Sequence, residues 1–342
     1  MSLFEQVLAL SEPANGVQGF MVLHSTSRGP AAGGIRLYPY ASEEDALSDG
    51  IRLARAMTFK AAAAGLPVGG GKIVLLKPPD NKRRDALLAV GRAIEAMAGR
   101  FLAGRDVGVP VEDGAIVRQE TSHMVDESDV SEGGVGDLNL ATALGVLAGA
   151  KAALSFQLGR TELAGVRVAL QGAGGVGCWL AKKLAAEGAE LYVCDSSPEA
   201  LERLKESVSF TEVGVDDIYS VECELFAPCA IGGVLTEHTA SSLAAKIVAG
   251  SANNVLASPD IGEALAARGI LFVPDYLVNA GALIQGVRFL LHGERRATSA
   301  IQAIGDTTAS LLSRARSVGL PPFRLLAREL SVRFDLEDSV NL

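Results

Sequence analysis

Aromatic residues and cysteines are scarce in this sequence. Phenylalanine, tyrosine and tryptophan together make up 5% of its 342 residues, whereas glycine occurs 38 times. Small residues in place of rings suit helices that pack closely against a parallel sheet. The cysteines form no C-x-x-C pair and have no histidine at zinc-ligand spacing, so no metal site is predicted and reduced thiols are expected. They are Cys178, Cys194, Cys223 and Cys229.

Clustered positive charge is also missing. The formal net charge is -9, which argues against a nucleic acid or an anionic membrane as the main partner. The first residues lack a basic stretch and carry Glu5 and Glu12, so they do not resemble a signal peptide. No apolar run approaches the ~20 residues that span a bilayer. We therefore expect a soluble, cytoplasmic protein.

The length and hydrophobic content indicate two domains. Hydrophobic residues make up 49% of the chain, enough for two sizeable cores. A stretch rich in glycine, serine and aspartate, between about 127 and 139, is typical of a linker. We predict one domain over 1–130 and a second over 140–317. The C-terminal segment, 318–342, contains a predicted helix that could pack back on the first domain.

Hydrophobic patterning predicts an α/β fold. In the first part, strands are predicted over 18–24, 34–40, 72–76 and 101–103, with helices from Ser42 to about Gly65 and over about 85–100. In the second part, strands are predicted over 166–170, 190–194, 224–226, 247–249 and 270–273, with helices between them. One of these helices is predicted to start with Ser197 as its cap and Pro198 as its first residue. Further helices are predicted over about 278–292 and 297–317. This β-α-β alternation predicts a doubly wound parallel sheet.

A dinucleotide-binding motif follows the first strand of the second domain. Residues 172–177 read G-A-G-G-V-G, a G-x-G-x-x-G sequence between a strand and a helix, where backbone amides can receive a pyrophosphate. Asp195 ends the next strand and is placed to bind the adenosine ribose, so NAD is favoured over NADP. The alternative is a tight turn without a ligand. The predicted cofactor-binding residues are Gly172, Gly174, Gly175, Val176, Gly177 and Asp195.

Two lysines and an aspartate are candidates for chemistry in the first domain. Lys60 follows Met57 and Phe59 and precedes four alanines, while Lys72 follows three glycines. Asp106 lies in G-R-D-V-G. Each could instead be a solvated charge or a turn former. A phosphate-binding P-loop at Lys72 is excluded because its first glycine and its hydroxyl residue are both missing.

These motifs together resemble a known family. They are GPAAGGIR at 29–36, MTFKAAAAGLPVGGGK, GRDVG, the glycine motif, APCAIGG, AGSANN and PDYLVNAGA. In this order they resemble the leucine/phenylalanine/valine dehydrogenase branch of the glutamate dehydrogenase superfamily, over nearly the whole chain. The resemblance implies an N-terminal α/β catalytic domain, a Rossmann NAD-binding domain and an active site in the cleft between them.

The resemblance also implies an activity and its residues. The activity is NAD-dependent, reversible oxidative deamination of a hydrophobic L-amino acid to its 2-oxo acid and ammonia. By the resemblance, Lys60 binds the substrate α-carboxylate. Lys72 polarises the 2-oxo group and the attacking water, and Asp106 is the general acid and base. Gly33 and Gly34 line the substrate site.

Further residues are implied near the cofactor. Thr142 matches a residue that contacts the nicotinamide amide, and Asn253 and Asn279 match residues near the nicotinamide and the substrate amino group. The chain departs from the family pattern at Ala282 and over 137–140, which affects the expected hinge and nicotinamide contacts. The segment before Gly29 is shorter than in typical members. A homo-oligomer is expected, with the subunit number left open.

Four positions bear on the choice of substrate. Ala32 stands where glutamate dehydrogenases have a lysine, which argues against glutamate. At Ala32, Gly104, Leu283 and Gly286, three residues are smaller than their leucine-type counterparts. Each missing methylene leaves room worth about 1 kcal/mol to a larger substrate. We predict a preference for aromatic side chains, phenylalanine or tryptophan. Other residues could refill this space, and a leucine or valine dehydrogenase is then the alternative.

Two other functional classes stay open at this point. One is a different NAD-dependent oxidoreductase that joins a Rossmann domain to another catalytic half. The other is a non-catalytic NAD-binding regulator, because a fold alone does not establish an activity.

Overall fold

The computed structural model describes residues 4–334, which form two compact units. One unit comprises 4–137 and 283–297, and the other comprises 138–282 and 298–334. The chain therefore returns to the first unit after completing most of the second. The predicted domains, 1–130 and 140–317, did not include this return, because the sequence over 278–292 indicates a continuous helix.

The first unit is built on a mixed five-stranded sheet. Its strands are β1 (Gln6–Glu12), β2 (Val17–Ser25), β3 (Ala31–Tyr38), β4 (Gly69–Leu76) and β5 (Phe101–Arg105). They lie in the order β1-β2-β4-β3-β5. Both β1 and β2 pair antiparallel with their neighbours, whereas β3, β4 and β5 are parallel. The first strand was not predicted. Leu8 and Leu10 on it pack against the core.

Helices cover both faces of this sheet. The first, α1 (Glu43–Ala63), is capped by Ser42, whose hydroxyl accepts the Asp45 amide at 3.1 Å. It packs on the face that carries Val74, because Gly50 on the helix leaves room for that side chain. On the opposite face, α2 (Arg83–Ala96) contributes to the main hydrophobic core. The short helix α3 spans Val111–Val117.

The second unit contains a six-stranded parallel sheet. Its strands are β6 (Arg167–Gln171), β7 (Glu190–Cys194), β8 (Thr211–Glu212), β9 (Cys223–Pro228), β10 (Ala245–Val248) and β11 (Leu271–Phe272). They lie in the order β8-β7-β6-β9-β10-β11, which is the 3-2-1-4-5-6 order of a dinucleotide-binding fold. The predicted doubly wound sheet is confirmed.

Ten further helices complete the described chain. They are α4 (Leu138–Leu158), α5 (Gly175–Ala186), α6 (Pro198–Lys205), α7 (Glu237–Ser242), α8 (Pro259–Ala267), α9 (Asp275–Val278), α10 (Gly281–His292), α11 (Thr298–Gln302), α12 (Ile304–Val318) and α13 (Pro322–Phe334). The start of α6 is as predicted. Ser197 caps it by accepting the Ala200 amide at 3.2 Å, and Pro198 is its first residue.

Helix α4 is an exception to the expectation that no apolar run approaches membrane-spanning length. It has 21 residues and a mean hydropathy of 1.4 in its most apolar window. By length and composition alone it could cross a bilayer. In the structure it packs against α5 and α12, and 56% of that window is buried. These contacts identify it as a core helix of the second unit.

The last described helix, α13, groups with the second unit. This grouping differs from the suggestion that the helix could pack back on the first domain. The Phe323 ring meets the Phe272 ring edge-on at 6.1 Å between centroids, and Arg314 on α12 pairs with Glu329 at 3.0 Å. An aromatic contact and an ion pair thus attach the helix within its own unit. Residues 335–342 of the predicted segment lie outside the described residues.

The close approach of α1 to β4 gives a test of this packing. A Cβ added at Gly70 would lie 2.6 Å from the Ala54 carbonyl oxygen and closer still to the Thr58 amide. We expect Gly70→Ala to lower the free energy of unfolding by about 1–3 kcal/mol, because helix and strand must separate. Urea denaturation measures the change. Gly104→Ala is the control, since nothing lies within 4 Å of its added Cβ; equal loss in both variants would contradict the steric explanation.

Candidate active site

A buried lysine and a partly buried aspartate form an ion pair at the sheet of the first unit. Lys72 lies in the middle of β4 with 5% of its surface exposed, and Asp106 directly follows β5. Lys72 Nζ lies 2.8 Å from Asp106 Oδ2. Because β3 runs between β4 and β5, the pair reaches across one strand. Two predicted site residues 34 positions apart are thus in direct contact.

Gly34 on β3 makes this contact sterically feasible. Ala32 pairs with Gly70 and Ile35 with Ile73, which sets Gly34 opposite Lys72. A Cβ added at Gly34 would lie 2.8 Å from Asp106 Cβ and 3.2 Å from Lys72 Nζ. A side chain at this position would therefore push the pair apart. The neighbouring Gly33 serves another purpose, because a Cβ there would clash with the Gly71 carbonyl.

Burial and charge act against each other in this pair. Burial lowers the pKa of Lys72, and the attraction of Asp106 offsets this only in part. Burial raises the pKa of Asp106, but the charges of Lys72 and Arg36 outweigh it and hold the pKa at about 2. The aspartate is therefore ionised at neutral pH, and the lysine holds its proton less tightly than a solvated lysine does.

Sequence reasoning missed Arg36, Asp49 and Tyr40 as members of this site. Arg36 Nε donates to Asp106 Oδ2 at 2.7 Å, and its Nη1 donates to Asp49 Oδ2 at 3.1 Å. The Tyr40 hydroxyl donates to the same Asp49 oxygen at 2.7 Å. Arg36 stands two residues after Gly34 on β3, and residues i and i+2 of a strand share a sheet face. This spacing was the only feature of the sequence that could have placed Arg36 near Lys72 and Asp106.

Lys60 lies in the last turn of α1 and is partly buried. Its helix covers the sheet face on which Lys72 lies, because Gly70, two residues before Lys72, faces Thr58 on that helix. Lys60 and Lys72 therefore belong to the same side of the sheet. The Thr58 hydroxyl also contacts His24 Nδ1 at 2.9 Å.

The four predicted pocket positions differ in their surroundings. Ala32 is buried on β3, and an added Cβ at Gly104 on β5 meets nothing within 4 Å. At Gly286 on α10, an added Cβ would lie 2.9 Å from Val125 Cγ2. Leu283 is partly buried on the same helix. A side chain at 286 would therefore meet Val125, and the assignment of Gly286 to the substrate pocket stays a prediction.

The glycine motif forms the connection from β6 to α5. Gly172 has φ +100°, a conformation that favours glycine, and a Cβ at Gly177 would clash with the Gly172 carbonyl. Gly174 and Gly175 are exposed at the start of α5, and Val176 is partly buried. Nothing lies within 4 Å of a Cβ added at Gly174. The exposed amides at this helix start fit a dinucleotide pyrophosphate.

Asp195 follows β7 and bridges this loop to the next helix. Its Oδ2 accepts the Ala173 amide at 2.6 Å, and its Oδ1 accepts the Ser197 amide at 2.8 Å. The carboxylate therefore helps to hold the glycine loop. It also lies at the end of the second strand, where an NAD ribose is bound in this type of fold. The residues present fit NAD.

Two predicted asparagines meet in the second unit. Asn279 Nδ2 donates to Asn253 Oδ1 at 2.9 Å and to the Ser251 carbonyl at 3.2 Å. Within the described chain, the buried Asn279 Oδ1 has no hydrogen-bond partner, so this amide has acceptor capacity for a ligand. Thr142 is buried on α4, where its hydroxyl donates to the Leu138 carbonyl at 3.1 Å. Ala282 lies within α10, and α4 begins at residue 138 inside the unusual 137–140 segment.

Both halves of the chain match sequence models of known domains. Residues 5–129 match the Glu/Leu/Phe/Val dehydrogenase dimerisation domain, and residues 194–287 match the glutamate/leucine/phenylalanine/valine dehydrogenase domain. The chain belongs to the Glu/Leu/Phe/Val dehydrogenase family.

Individual members of this family are similar over most of their length. The chain is 40% identical to a leucine dehydrogenase from Geobacillus stearothermophilus, over 94% of this chain and 88% of the relative. It is 42% identical to a phenylalanine dehydrogenase from Bacillus thermotolerans, over 83% and 76%. The crystal structure of L-tryptophan dehydrogenase from Nostoc punctiforme superposes with a TM-score of 0.82 at 37% identity, covering 97% of this chain and 96% of that one.

These findings confirm several predictions from the sequence. The family, the two-domain α/β fold and the class of amino-acid dehydrogenases that act on CH–NH2 groups are as predicted. The leucine, phenylalanine, valine and tryptophan dehydrogenases of this family use NAD, also as predicted. Relatives at about 40% identity differ in substrate among these four amino acids, so similarity alone does not select one.

Gly34 provides a test of the ion-pair geometry. We expect Gly34→Ala to reduce the turnover of the amino-acid dehydrogenase by about 100-fold, because the added methyl displaces Asp106 from Lys72. Steady-state kinetics with a panel of hydrophobic amino acids measures this loss. NADH binding, followed by fluorescence, should be unchanged, because the glycine motif belongs to the other unit. Turnover at the original rate would show that the Lys72–Asp106 distance does not matter.

Proposed function

We propose that this chain catalyses the NAD-dependent, reversible oxidative deamination of a hydrophobic L-amino acid to its 2-oxo acid and ammonia. The observation that carries the proposal is the contact of buried Lys72 with Asp106 across Gly34. A buried ion pair is costly unless it is well hydrogen-bonded, and a cation and an anion in contact are suited to moving protons. Membership of the dehydrogenase family supports the same reaction class.

We assign the substrate-binding and proton-transfer roles to three side chains. Lys60 binds the α-carboxylate and so fixes the direction of the Cα–H bond. Lys72 donates a hydrogen bond to the 2-oxo group and to the water that adds to the carbon. Asp106 accepts and returns protons at its carboxylate. When bound, NAD supplies the hydride acceptor for oxidation and, in its reduced form, the hydride donor for the reverse reaction.

The perturbed pKa values support these roles. Ammonia release requires protons to leave and return within one turnover, and an ionised carboxylate is ready to accept the first of them. The lowered pKa of buried Lys72 makes its ammonium a better donor to a developing alkoxide. Gly34 keeps the strand surface beside these groups free of a side chain, and Gly33 allows the close approach of the Gly71 carbonyl.

We assign cofactor binding to the second unit. Gly172, Gly174, Gly175, Val176 and Gly177 form the pyrophosphate site, and Asp195 binds the adenosine ribose. The unpartnered Asn279 carbonyl oxygen supports a contact with the substrate amino group. Asn253 and Thr142 are assigned to the nicotinamide.

For the substrate side chain, we propose an aromatic preference, phenylalanine or tryptophan over branched-chain amino acids. The open space in front of Gly104 and the small Ala32 on the neighbouring strand support this choice. A leucine or valine dehydrogenase is the second candidate. It is favoured by Val125, which occupies the space beside Gly286.

We further propose that the enzyme is a cytoplasmic homo-oligomer whose ligands are small molecules rather than nucleic acids or membranes. The match of residues 5–129 to a domain described as a dimerisation domain supports assembly. The net charge of -9 is unfavourable for polyanionic partners.

The proton-transfer role of Asp106 has a direct test. We expect Asp106→Asn to abolish turnover, because an amide cannot take up the proton, while NADH binding is retained. Ammonium-dependent oxidation of NADH with 2-oxo acids is the measurement. Asp80→Asn, which alters an exposed carboxylate of the same unit, should behave like the wild type. Undiminished turnover in Asp106→Asn would mean that the acid and base lie elsewhere.

The substrate preference is tested by kcat/KM for phenylalanine, tryptophan, leucine and valine. We expect the wild type to have higher kcat/KM for phenylalanine and tryptophan than for leucine and valine. In Gly104→Ala the added methyl should lower kcat/KM for phenylalanine about tenfold relative to leucine, since it removes volume from the pocket. A much higher kcat/KM for leucine or valine than for phenylalanine in the wild type would favour the second candidate. If the ratio of kcat/KM for phenylalanine to that for leucine is unchanged in the variant, Gly104 does not line the pocket.

A further inference from the structure

We infer that Arg36 is a positioning residue that fixes the Asp106 carboxylate so that its Oδ1 atom carries the transferred proton. This inference rests on the proposed function, because it assigns a structural basis to the proton transfer by Asp106. Arg36 lies on β3, between the strands that carry Lys72 and Asp106.

Two cations converge on a single oxygen of Asp106. Arg36 Nε lies 2.7 Å from Oδ2, and Lys72 Nζ lies 2.8 Å from the same atom. A carboxylate oxygen has two lone pairs, and both are engaged at Oδ2 by charge-assisted donors. The proton that Asp106 accepts from substrate or water therefore goes to Oδ1.

The guanidinium of Arg36 is itself held at its other side. Its Nη1 donates to Asp49 Oδ2 at 3.1 Å, and Asp49 also accepts from the Tyr40 hydroxyl and from Arg52 Nη2 at 2.6 Å. The Arg36 and Asp49 side chains are only 20% and 17% exposed. A planar guanidinium can bridge two carboxylates in one fixed orientation, whereas an ammonium cannot. The chain Tyr40–Asp49–Arg36–Asp106 thus restrains the reacting carboxylate from α1 and β3 together.

The charges around Asp106 determine how the loss of Arg36 changes the pKa values of Asp106 and Lys72. Lys72 and Arg36 face the carboxylate directly, and Asp49, Tyr40 and Arg52 lie behind Arg36. Removing the Arg36 charge raises the pKa of Asp106 from about 2, because one of its two stabilising cations is lost. It also raises the pKa of Lys72, since Arg36 repels that ammonium. Both changes shift the limbs of the pH–rate profile to higher pH.

The experiment compares Arg36→Gln and Arg36→Lys with the wild type. In Arg36→Gln we expect kcat to fall between tenfold and 100-fold, with KM little changed and with the pH–rate limbs at higher pH. Arg36→Lys keeps the charge and should recover part of kcat and of the pH profile. NADH binding and thermal unfolding establish that each variant is folded.

Arg52→Gln is the matched control. Arg52 binds the same Asp49 but is 56% exposed and does not contact Asp106, so its variant should keep wild-type kcat and pH profile. Wild-type kcat in Arg36→Gln would overturn the inference. So would a loss of kcat with unmoved limbs and no recovery in Arg36→Lys, which indicates a structural role only.

The two proposals fail in different ways. If the positioning role is wrong but the proposed function is right, the wild type oxidises NADH with ammonium and a 2-oxo acid, and Asp106→Asn is inactive. If the proposed function is wrong, the wild type shows no ammonium-dependent turnover with any hydrophobic 2-oxo acid. The wild-type assay therefore precedes the comparison of Arg36 variants.

Discussion

The contact between Lys72 and Asp106 constrains several neighbouring elements of the first unit. A lysine in the middle of a buried strand requires a counter-charge, and the carboxylate can reach it only across β3. Strand β3 must therefore have glycine at position 34. Position 36 faces the same side of the sheet and lies close enough for an arginine to bind the same carboxylate. A single electrostatic requirement thus connects three neighbouring strands and, through Asp49, the helix above them.

In the second unit, the glycine loop that we propose to bind the phosphates of NAD presents backbone amides instead of charged side chains. Gly172 and Gly177 allow β6 and α5 to approach closely, and Asp195 ties the loop to the end of the neighbouring strand. The proposed substrate site in the first unit depends on buried charged side chains, whereas the proposed cofactor site in this loop depends on backbone that is free of side chains. Among the described residues of this unit, the buried Asn279 Oδ1 has no hydrogen-bond partner.

Local signals in the sequence were sufficient for most of the helices and strands. The strand at Glu190–Cys194 and the helix start at Ser197 and Pro198 were predicted correctly because alternation, a cap and a proline all act within a few residues. The strand Gln6–Glu12 was missed because it forms only by pairing with β2. The contact of Arg36 with Asp106 joins residues 70 positions apart. No local pattern encodes such a distance. Motifs in the sequence identified Lys72 and Asp106 as candidates, but not Arg36, Asp49 or Tyr40, and not the mutual geometry of these side chains.

In the proposed substrate pocket, the contact between Val125 and Gly286 limits how the size of the pocket can change. Two side chains that share one volume are not independent, because bulk gained at one position must be given up at the other. A larger residue at 286 combined with a smaller one at 125 would leave the shared volume unchanged, whereas either substitution alone would change it. A redesign of the proposed pocket therefore has to change positions 125 and 286 together.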